Sequence, residues 1–286
     1  MRLLARLTCE NEEYTMLQDQ ALKEKIHLAN VSVHQLEAQY YELLHPEVYT
    51  KQEQKRITAR LQTVDKLVTD NQKNALDVGA GTGNLTGKLL QMGYTVTAVD
   101  ISAEMCAILQ RRYNAYLQSN KLTIVCSPVE DLAFESGKFD LITCYSVLHH
   151  LPDYVDALRC LSVFLKKGGV IYIDHEASPF YWKTEPSSLA NLIKGIYFHS
   201  NPIFNSLYFQ ITGLKIPSID YCLSDYWHKK EHALDHSRIQ QIIRDEKYAF
   251  ARRTDYYETT TWIPNPLSLI YRLLCSPEMS YWIAKK

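Results

Sequence analysis

The stretch Ala75-Leu76-Asp77-Val78-Gly79-Ala80-Gly81-Thr82-Gly83-Asn84 decides how this sequence folds. It begins with a short apolar run, and glycine then occupies every second position from 79 to 83. This pattern is typical of a buried parallel strand that ends in a tight turn. The next residues, Thr86 to Gln91, have helical character. The order strand, turn, helix predicts a ligand site, because a helix N-terminus offers free N–H groups to a polar or negatively charged group.

Strands and helices continue to alternate beyond this turn. A second strand is expected at Thr95–Asp100, and Ser102 is placed to cap a helix that runs to about Leu117. The alternation predicts an α/β fold, a doubly wound and mostly parallel sheet of seven strands with helices on both faces. The remaining strands are expected at 122–125, 139–145, 170–174, 247–256 and 279–285, with further helices at 153–165 and 236–244.

Four regions are expected along the chain. Residues 1–72 form an N-terminal helical region in which His45-Pro46 interrupts the helix, and residues 73–177 form the ligand-binding core. Residues 178–235 interrupt the alternation and are rich in aromatic side chains, which predicts a cap inserted into the fold. Residues 236–286 then complete the core.

Composition excludes several classes of protein. The 286 residues have a formal net charge of −1, so no global attraction to nucleic acid is expected. No apolar stretch has the length of a membrane span. The seven cysteines are odd in number and form no C-x-x-C pair, which favours reduced thiols in a cytoplasmic protein. The first residues do not resemble a signal or transit peptide.

Asp100 points to the class of ligand. It ends the second strand, 17 residues after Gly83, where a carboxylate can accept both hydroxyls of a ribose. A carboxylate that only caps the next helix is the alternative. The dinucleotide pattern G-x-G-x-x-G would need a third glycine at Asn84 or Thr86, and neither residue is glycine. An NAD(P)-dependent oxidoreductase is therefore the less favoured interpretation.

Taken together, the motifs of residues 73–176 resemble those of the class I S-adenosylmethionine-dependent methyltransferases. The resemblance is closest to the group that includes the ubiquinone/menaquinone C-methyltransferases and many small-molecule O- and N-methyltransferases. It implies a Rossmann-like methyltransferase fold and S-adenosylmethionine as cofactor, and it does not specify the acceptor. The motifs are Asp77-x-Gly79-x-Gly81-x-Gly83, Val99-Asp100-Ile101-Ser102, Val129-Glu130-Asp131-Leu132, Phe139-Asp140-Leu141-Ile142, Leu148-His149-His150-Leu151 and Leu165-Lys166-Lys167-Gly168-Gly169.

The resemblance also implies which residues bind the cofactor. The amino acid end would lie on the glycine turn, the ribose on Asp100, and the adenine between Ile101 and residues 129–130. Relatives commonly carry an aspartate for the adenine amino group where this chain has Pro128. Tyr40 and Tyr41 of the N-terminal region are expected to close the pocket. The cofactor-binding candidates are Asp77, Gly79, Ala80, Gly81, Gly83, Asp100, Ile101, Val129, Glu130, Tyr145 and Tyr40.

Methyl transfer needs positioning and exclusion of water more than it needs a catalytic group, and a base is required only for some acceptors. His149, His175 and Glu176 follow strands four and five, at the expected edge of the sheet, and are the catalytic candidates. A turn-forming role is the alternative for His149. His228, His232 and His236 recur every four residues, yet the acidic residues among them favour a solvated face over a metal site, so no metal is expected.

The predicted function is S-adenosylmethionine-dependent methylation of a small molecule, with an apolar or aromatic acceptor held by cap residues such as Trp182 and Trp227. The atom methylated stays open, and so does the choice between monomer and homodimer. A protein that binds the cofactor without catalysis is the alternative from another class. Nucleic acid is disfavoured as acceptor because Cys144-Tyr145-Ser146-Val147 stands where a D/N-P-P-Y/F motif would be expected.

Overall fold

The computed structural model describes residues 2–69, 72–182, 223–229, 232–258 and 267–286, with side chains from residue 20 onward. Most of the predicted cap at 178–235 lies outside these residues. Among the helices that are described, none is long and apolar enough to cross a membrane.

A seven-stranded sheet forms the centre of the fold, in the order β3-β2-β1-β4-β5-β7-β6. The first five strands run parallel, and β7 is antiparallel to both of its neighbours. The predicted α/β class and mostly parallel sheet are therefore confirmed. The strands are β1 Asn74–Val78, β2 Thr95–Asp100, β3 Leu122–Cys126, β4 Phe139–Tyr145, β5 Leu165–Ala177, β6 Phe250–Tyr256 and β7 Met279–Lys285. The order reverses between β1 and β4, and ligands bind at such a switch point, outside the carboxyl ends of the strands.

Helices flank the sheet and also precede it. The interruption expected at His45-Pro46 is confirmed, and the helix expected to reach residue 117 is divided at Tyr113. The helix at residues 267–274 was not predicted. Within the described residues the helices are α1 Arg2–Glu37, α2 Tyr41–Leu44, α3 Pro46–Tyr49, α4 Lys51–Asp65, α5 Asn84–Gln91, α6 Ala103–Arg112, α7 Asn114–Gln118, α8 Tyr154–Phe164, α9 His236–Asp245 and α10 Leu267–Leu274. Single 3₁₀ turns cover Ala38–Tyr40, Val129–Asp131 and Leu148–His150.

Both faces of the sheet are covered, because alternate residues of each strand point to opposite sides. Leu76 belongs to the core layer that includes α8 and α9, and its neighbour Ala75 belongs to the layer that includes α4 and α5. Ile57 and Leu61, four residues apart on one face of α4, are buried in this second layer. Each large apolar side chain buried in this way contributes about 1.5–3 kcal/mol.

The strand β5 is longer than the sequence pattern indicates and contains an irregularity near its end. Its register with β7 shifts between Ile173 and Glu176, and His175 has a φ of 62° in this bulge. A bulge redirects the side chains that follow it. His175 and Glu176, which were predicted to follow the strand, lie within it, and both side chains are buried.

Candidate functional site

The glycine turn after β1 brings the backbone to the edge of a cleft. Ala80 N donates to Val99 O at 2.9 Å, which ties the turn to β2. A Cβ on Gly79 would lie 2.3 Å from Val147 Cγ2, and one on Gly83 would lie 2.5 Å from Tyr113 Cε2. Gly81 has no atom within 4 Å of the place where its Cβ would be, so it borders open space.

Two buried carboxylates hold the turn. Asp77 accepts from Thr86 Oγ1 at 2.6 Å and from Thr143 Oγ1 at 2.7 Å. Its burial outweighs these hydrogen bonds and raises its pKa to about 6. Asp100 accepts from Gly81 N at 2.8 Å and from Ser102 N at 2.9 Å, one bond on each carboxylate oxygen. Burial raises the pKa of Asp100 as well.

The cleft lies at the switch point between β1 and β4 and has about 730 Å³ of open space, mouth included. Polar and apolar groups both line it, as in small-molecule sites. Its walls come from the glycine turn, the end of β2, residues 127–130 and the segment after β4, and α1 forms a roof. The lining residues are His27, Asn30, His34, Tyr41, Gly79, Gly81, Val99, Asp100, Ile101, Met105, Ser127, Pro128, Val129, Glu130, Tyr145, Ser146, Val147, His150, Leu151 and Pro152.

The roof is fixed to the rim of the cleft by two contacts from α1. Lys23 Nζ lies 2.9 Å from Asp153 Oδ2, and both side chains are partly exposed. Asn30 Nδ2 donates to His150 O at 2.6 Å, and this amide is buried. A helix held at both points can cover a ligand without being part of the sheet.

A second chamber adjoins the cleft and has about 960 Å³ of open space. The two spaces share His34, Tyr41, Ser146 and His150 as a common wall. Histidine and acidic side chains make up more than half of the residues that line this chamber. The lining residues are Val33, His34, Glu37, Tyr41, His45, Glu47, Val48, Ser146, His149, His150, His175, Tyr181, Ser224, Asp225, His228, Glu258 and Met279.

His149 and Glu176 form a buried pair at the side of this chamber. His149 Nδ1 lies 2.7 Å from Glu176 Oε2. The other carboxylate oxygen accepts from the backbone N–H groups of Val147 at 3.0 Å and Leu148 at 2.8 Å. Burial by itself would raise the pKa of Glu176, but the His149 charge and these hydrogen bonds lower it below its ordinary value. Glu176 is thus an ionised group that fixes the orientation of the His149 ring.

His175 carries a positive charge in the same chamber. Its Nε2 lies 3.1 Å from Glu258 Oε1, and its Nδ1 lies 3.2 Å from the hydroxyls of both Tyr145 and Tyr256. Burial opposes the charge, but Glu258 outweighs it and raises the pKa of His175 to about 9. The ring is therefore protonated at neutral pH. It also stacks on Tyr145, with ring centroids 5.0 Å apart.

A family described as a methyltransferase domain matches residues 76–173, which run from β1 to β5. Similarity to curated proteins also covers only part of the chain. A ubiquinone biosynthesis O-methyltransferase of Vibrio parahaemolyticus is 36% identical over 101 residues, which are 35% of this chain and 42% of the relative. One of Coxiella burnetii is 31% identical over 113 residues, which are 40% of this chain and 47% of the relative.

Residues 76–173 are the part of this chain that matches a methyltransferase domain. The match spans less than half of the length of the curated relatives.

Solved structures of methyltransferases are similar to this chain in fold over most of its length. The plantazolicin methyltransferase BpumL in complex with SAH has a TM-score of 0.54 at 14% identity, covering 95% of this chain and 98% of that one. A SAM-dependent methyltransferase from Archaeoglobus fulgidus has a TM-score of 0.51 at 16% identity, covering 86% of this chain and 100% of that one. At these identities the likeness concerns the fold.

Most of the residues that the sequence singled out lie at the cleft of the methyltransferase domain. Gly79, Gly81, Asp100, Ile101, Val129, Glu130 and Tyr145 line it, and Asp77 and Ala80 line a smaller adjoining cavity of about 360 Å³. Gly83 is buried at the N-terminus of α5 and packs against Tyr113. Of the two tyrosines that were expected to close the pocket, Tyr41 lines the cleft and Tyr40 is not part of this lining.

Three lining residues of α1 were missed by the sequence analysis. His27, Asn30 and His34 are three, four and seven positions apart, so they share one face of the helix. That spacing was a signal, but nothing in the sequence indicated which side of a 36-residue helix would meet the methyltransferase domain.

The spacing of His228, His232 and His236 does not place them on one helix. His236 begins α9, and its ring lies between Ala177 O at 2.8 Å and Trp282 Nε1 at 3.1 Å. His228 and His232 precede that helix in turns. The spacing of four therefore does not put the three histidines on one helical face, and His236 is buried, so the expected solvated face is wrong for this residue.

Proposed function

We propose that this protein is an enzyme that transfers a methyl group from S-adenosylmethionine to a small-molecule acceptor. One observation carries the proposal. The cleft between the glycine turn and Asp100 shares four lining residues with the second chamber, so a cofactor and an acceptor can bind there next to each other. The cofactor, when bound, supplies a methyl group that its own sulfonium already activates.

The residues of the cleft fit this cofactor. Each oxygen of Asp100 accepts one hydrogen bond from the backbone and keeps a second lone pair, so the carboxylate can also accept from the two ribose hydroxyls. Gly81 leaves open the space that the amino acid end would fill. Ile101 and Val129 offer apolar surface to the adenine, with Glu130 at its edge and Tyr145 beneath the methionine portion.

The acceptor would lie in the second chamber, between His149 and His175. Glu176 acts through His149 by fixing the ring, and His175 contributes a positive charge that Glu258 partly balances. Tyr41, Tyr145 and Tyr181 add aromatic surface around the two spaces. We propose an apolar or aromatic acceptor that carries a polar group at the site of methylation, and a monomeric or homodimeric protein.

A cytoplasmic location is part of the proposal. It is supported by the cysteines Cys106, Cys126, Cys144, Cys160 and Cys275, which are free thiols in the described residues.

Thermal shift measurements test cofactor binding. A ligand at about 100 times its Kd stabilises the native state by about 2.7 kcal/mol. We expect S-adenosylhomocysteine and S-adenosylmethionine to raise the Tm, and NAD and NADP to have no effect. Asp100→Ala should abolish the response, whereas Asp131→Ala, at an exposed position outside the cleft, should keep it.

A response to NAD alone would contradict the proposed function. Transfer is tested with S-adenosylmethionine labelled in the methyl group and incubated with a metabolite extract. We expect labelled product from the wild type and none from Asp100→Ala. Cofactor binding without any labelled product would favour a binding protein over an enzyme.

A further inference from the structure

We propose that the second chamber binds one divalent transition-metal ion through His149, His150 and Asp225. Each of these side chains offers one ligand atom, and the three atoms lie within 4.8 Å of one another. A metal–ligand bond of about 2.0–2.2 Å allows one ion to reach ligand atoms at such separations after small side-chain adjustments. The site is separate from the histidine spacing at 228, 232 and 236.

The orientation of His149 favours coordination. Glu176 occupies its Nδ1, so the remaining nitrogen, Nε2, is the one that can serve the chamber. Metal-binding histidines almost always hold their other nitrogen against a carboxylate or a carbonyl group, which fixes the ring and increases its basicity. Glu176 is itself fixed by Val147 N and Leu148 N, so this supporting group is rigid.

The other two ligands, His150 and Asp225, lie near His149 because hydrogen bonds hold their two segments together. His150 Nδ1 lies 2.8 Å from Ser224 O and 3.4 Å from Asp225 Oδ1. The segment that carries Asp225 is fastened to the turn after β4, because Trp227 N donates to His149 O at 3.3 Å and Trp227 Nε1 donates to Leu151 O at 2.8 Å. The ligands therefore come from two segments that already touch in the folded chain.

The donor set indicates the class of metal. Two imidazoles and one carboxylate suit zinc, cobalt or nickel better than magnesium or calcium, which prefer oxygen ligands. Three protein ligands leave a coordination position open, as in catalytic zinc sites. Because the chamber is where the acceptor would lie, we infer that an oxygen atom of the acceptor takes this open position. This last step rests on the proposed function, whereas the metal site itself does not.

Titration of the full-length protein with Co²⁺ tests the site, with visible absorption and calorimetry as readouts. We expect one Co²⁺ per chain with a d–d absorption band, and displacement of that band by Zn²⁺. Asp225→Asn keeps the size of a side chain that is half exposed, and we expect this variant to bind Co²⁺ at least about tenfold more weakly. His149→Ala should bind Co²⁺ more weakly still. Glu176→Gln should weaken binding by about 10–100-fold, because it removes the charge that supports His149.

His232→Ala is the matched control, since it removes a nearby exposed histidine outside the cluster, and we expect unchanged binding. Wild type that takes up no Co²⁺, or binding that Asp225→Asn and His149→Ala leave unchanged, would overturn the inference. The two proposals fail separately. If the protein binds S-adenosylhomocysteine but does not bind Co²⁺, only the metal site is overturned. If it binds Co²⁺ but does not bind S-adenosylhomocysteine, only the proposed function is overturned.

Discussion

Asp77 is a carboxylate that is only 2% exposed, and burial raises its pKa from the ordinary value of 3.8 to about 6. The folded state therefore binds this proton more tightly than the unfolded state does. The stability that the neutral form contributes is fully present below about pH 4 and is lost as the pH rises through about 6. Above that pH, the ionised side chain makes the free energy of unfolding about 3 kcal/mol lower than a neutral side chain would.

We expect Asp77→Asn to stabilise the ligand-free protein at pH 8, because the amide keeps the shape without the charge. The gain should shrink as the pH falls towards 4, where Asp77 is itself neutral. Urea unfolding at a series of pH values measures this difference. A gain that does not change with pH would show that the ionisation of Asp77 is not its source.

Gly81 and Gly83 share a left-handed backbone and differ in their surroundings. Alanine at either position lowers the stability by about 1–2 kcal/mol, because a left-handed backbone is unfavourable for a residue with a Cβ. At Gly83 the new Cβ also collides with the ring of Tyr113, whose hydroxyl donates to Gly83 O at 2.9 Å. At Gly81 the Cβ enters the open cleft.

We therefore expect Gly83→Ala to reduce stability more than Gly81→Ala does. Gly81→Ala should mainly weaken S-adenosylhomocysteine binding, because its Cβ occupies ligand space. Urea unfolding gives the two stabilities, and calorimetry gives the two dissociation constants. Equal stabilities, or unchanged affinity in Gly81→Ala, would contradict this assignment.

At the scale of elements, α1 lies outside the sheet and contributes to the cleft. Asn30 and His34 line it, and Lys23 and Asn30 fasten the helix to its rim. Removal of residues 1–45 takes away this roof and exposes the bound ligand to water. We expect at least about tenfold weaker binding of S-adenosylhomocysteine, which corresponds to about 1.4 kcal/mol.

Calorimetry of the truncated and the full-length chain measures this effect. Removal of residues 1–19 is the control, because it retains Lys23, Asn30 and His34, and we expect unchanged affinity. Equal dissociation constants for the full-length chain and the chain that lacks residues 1–45 would refute the role of α1 as a roof.

At the scale of the whole molecule, a buried polar network joins distant parts of the chain. Arg56 Nη2 lies 2.9 Å from Asp174 Oδ2 and 3.1 Å from the Tyr256 hydroxyl, so it connects α4 to β5 and β6. Glu53 is a second carboxylate partner of the same guanidinium. Removing one member of a buried ion pair leaves an uncompensated charge, which costs about 3–5 kcal/mol.

We expect Arg56→Leu to destabilise the protein by about that amount, and a second substitution, Asp174→Asn, to recover part of the loss. Arg159→Ala is the control, because its pair with Asp156 is exposed and should be worth less than about 1 kcal/mol. Urea unfolding of the single and double variants measures the coupling. Strictly additive losses would show that Arg56 and Asp174 do not act as a pair.

The sequence by itself determined the sheet and the side of it that binds ligand. The apolar run of β1, the glycines at 79, 81 and 83, and Asp100 at the end of β2 are local signals, because strand periodicity and backbone freedom act over a few neighbouring residues. For the same reason most strand boundaries were predicted closely. The exceptions are β6, which begins at Phe250 instead of residue 247, and β5, which extends beyond the expected range at both ends and contains His175 and Glu176.

The tertiary structure decided which distant residues meet. His149 pairs with Glu176, Asp225 approaches His150, and α1 places Asn30 over the cleft, and these partners are 27 to 120 positions apart. No local pattern encodes such contacts, because they depend on how β5 bends, how the segment at Trp227 docks and which face of α1 turns inward. The cofactor turn could therefore be predicted from the sequence, whereas the second chamber arises from packing between separate elements.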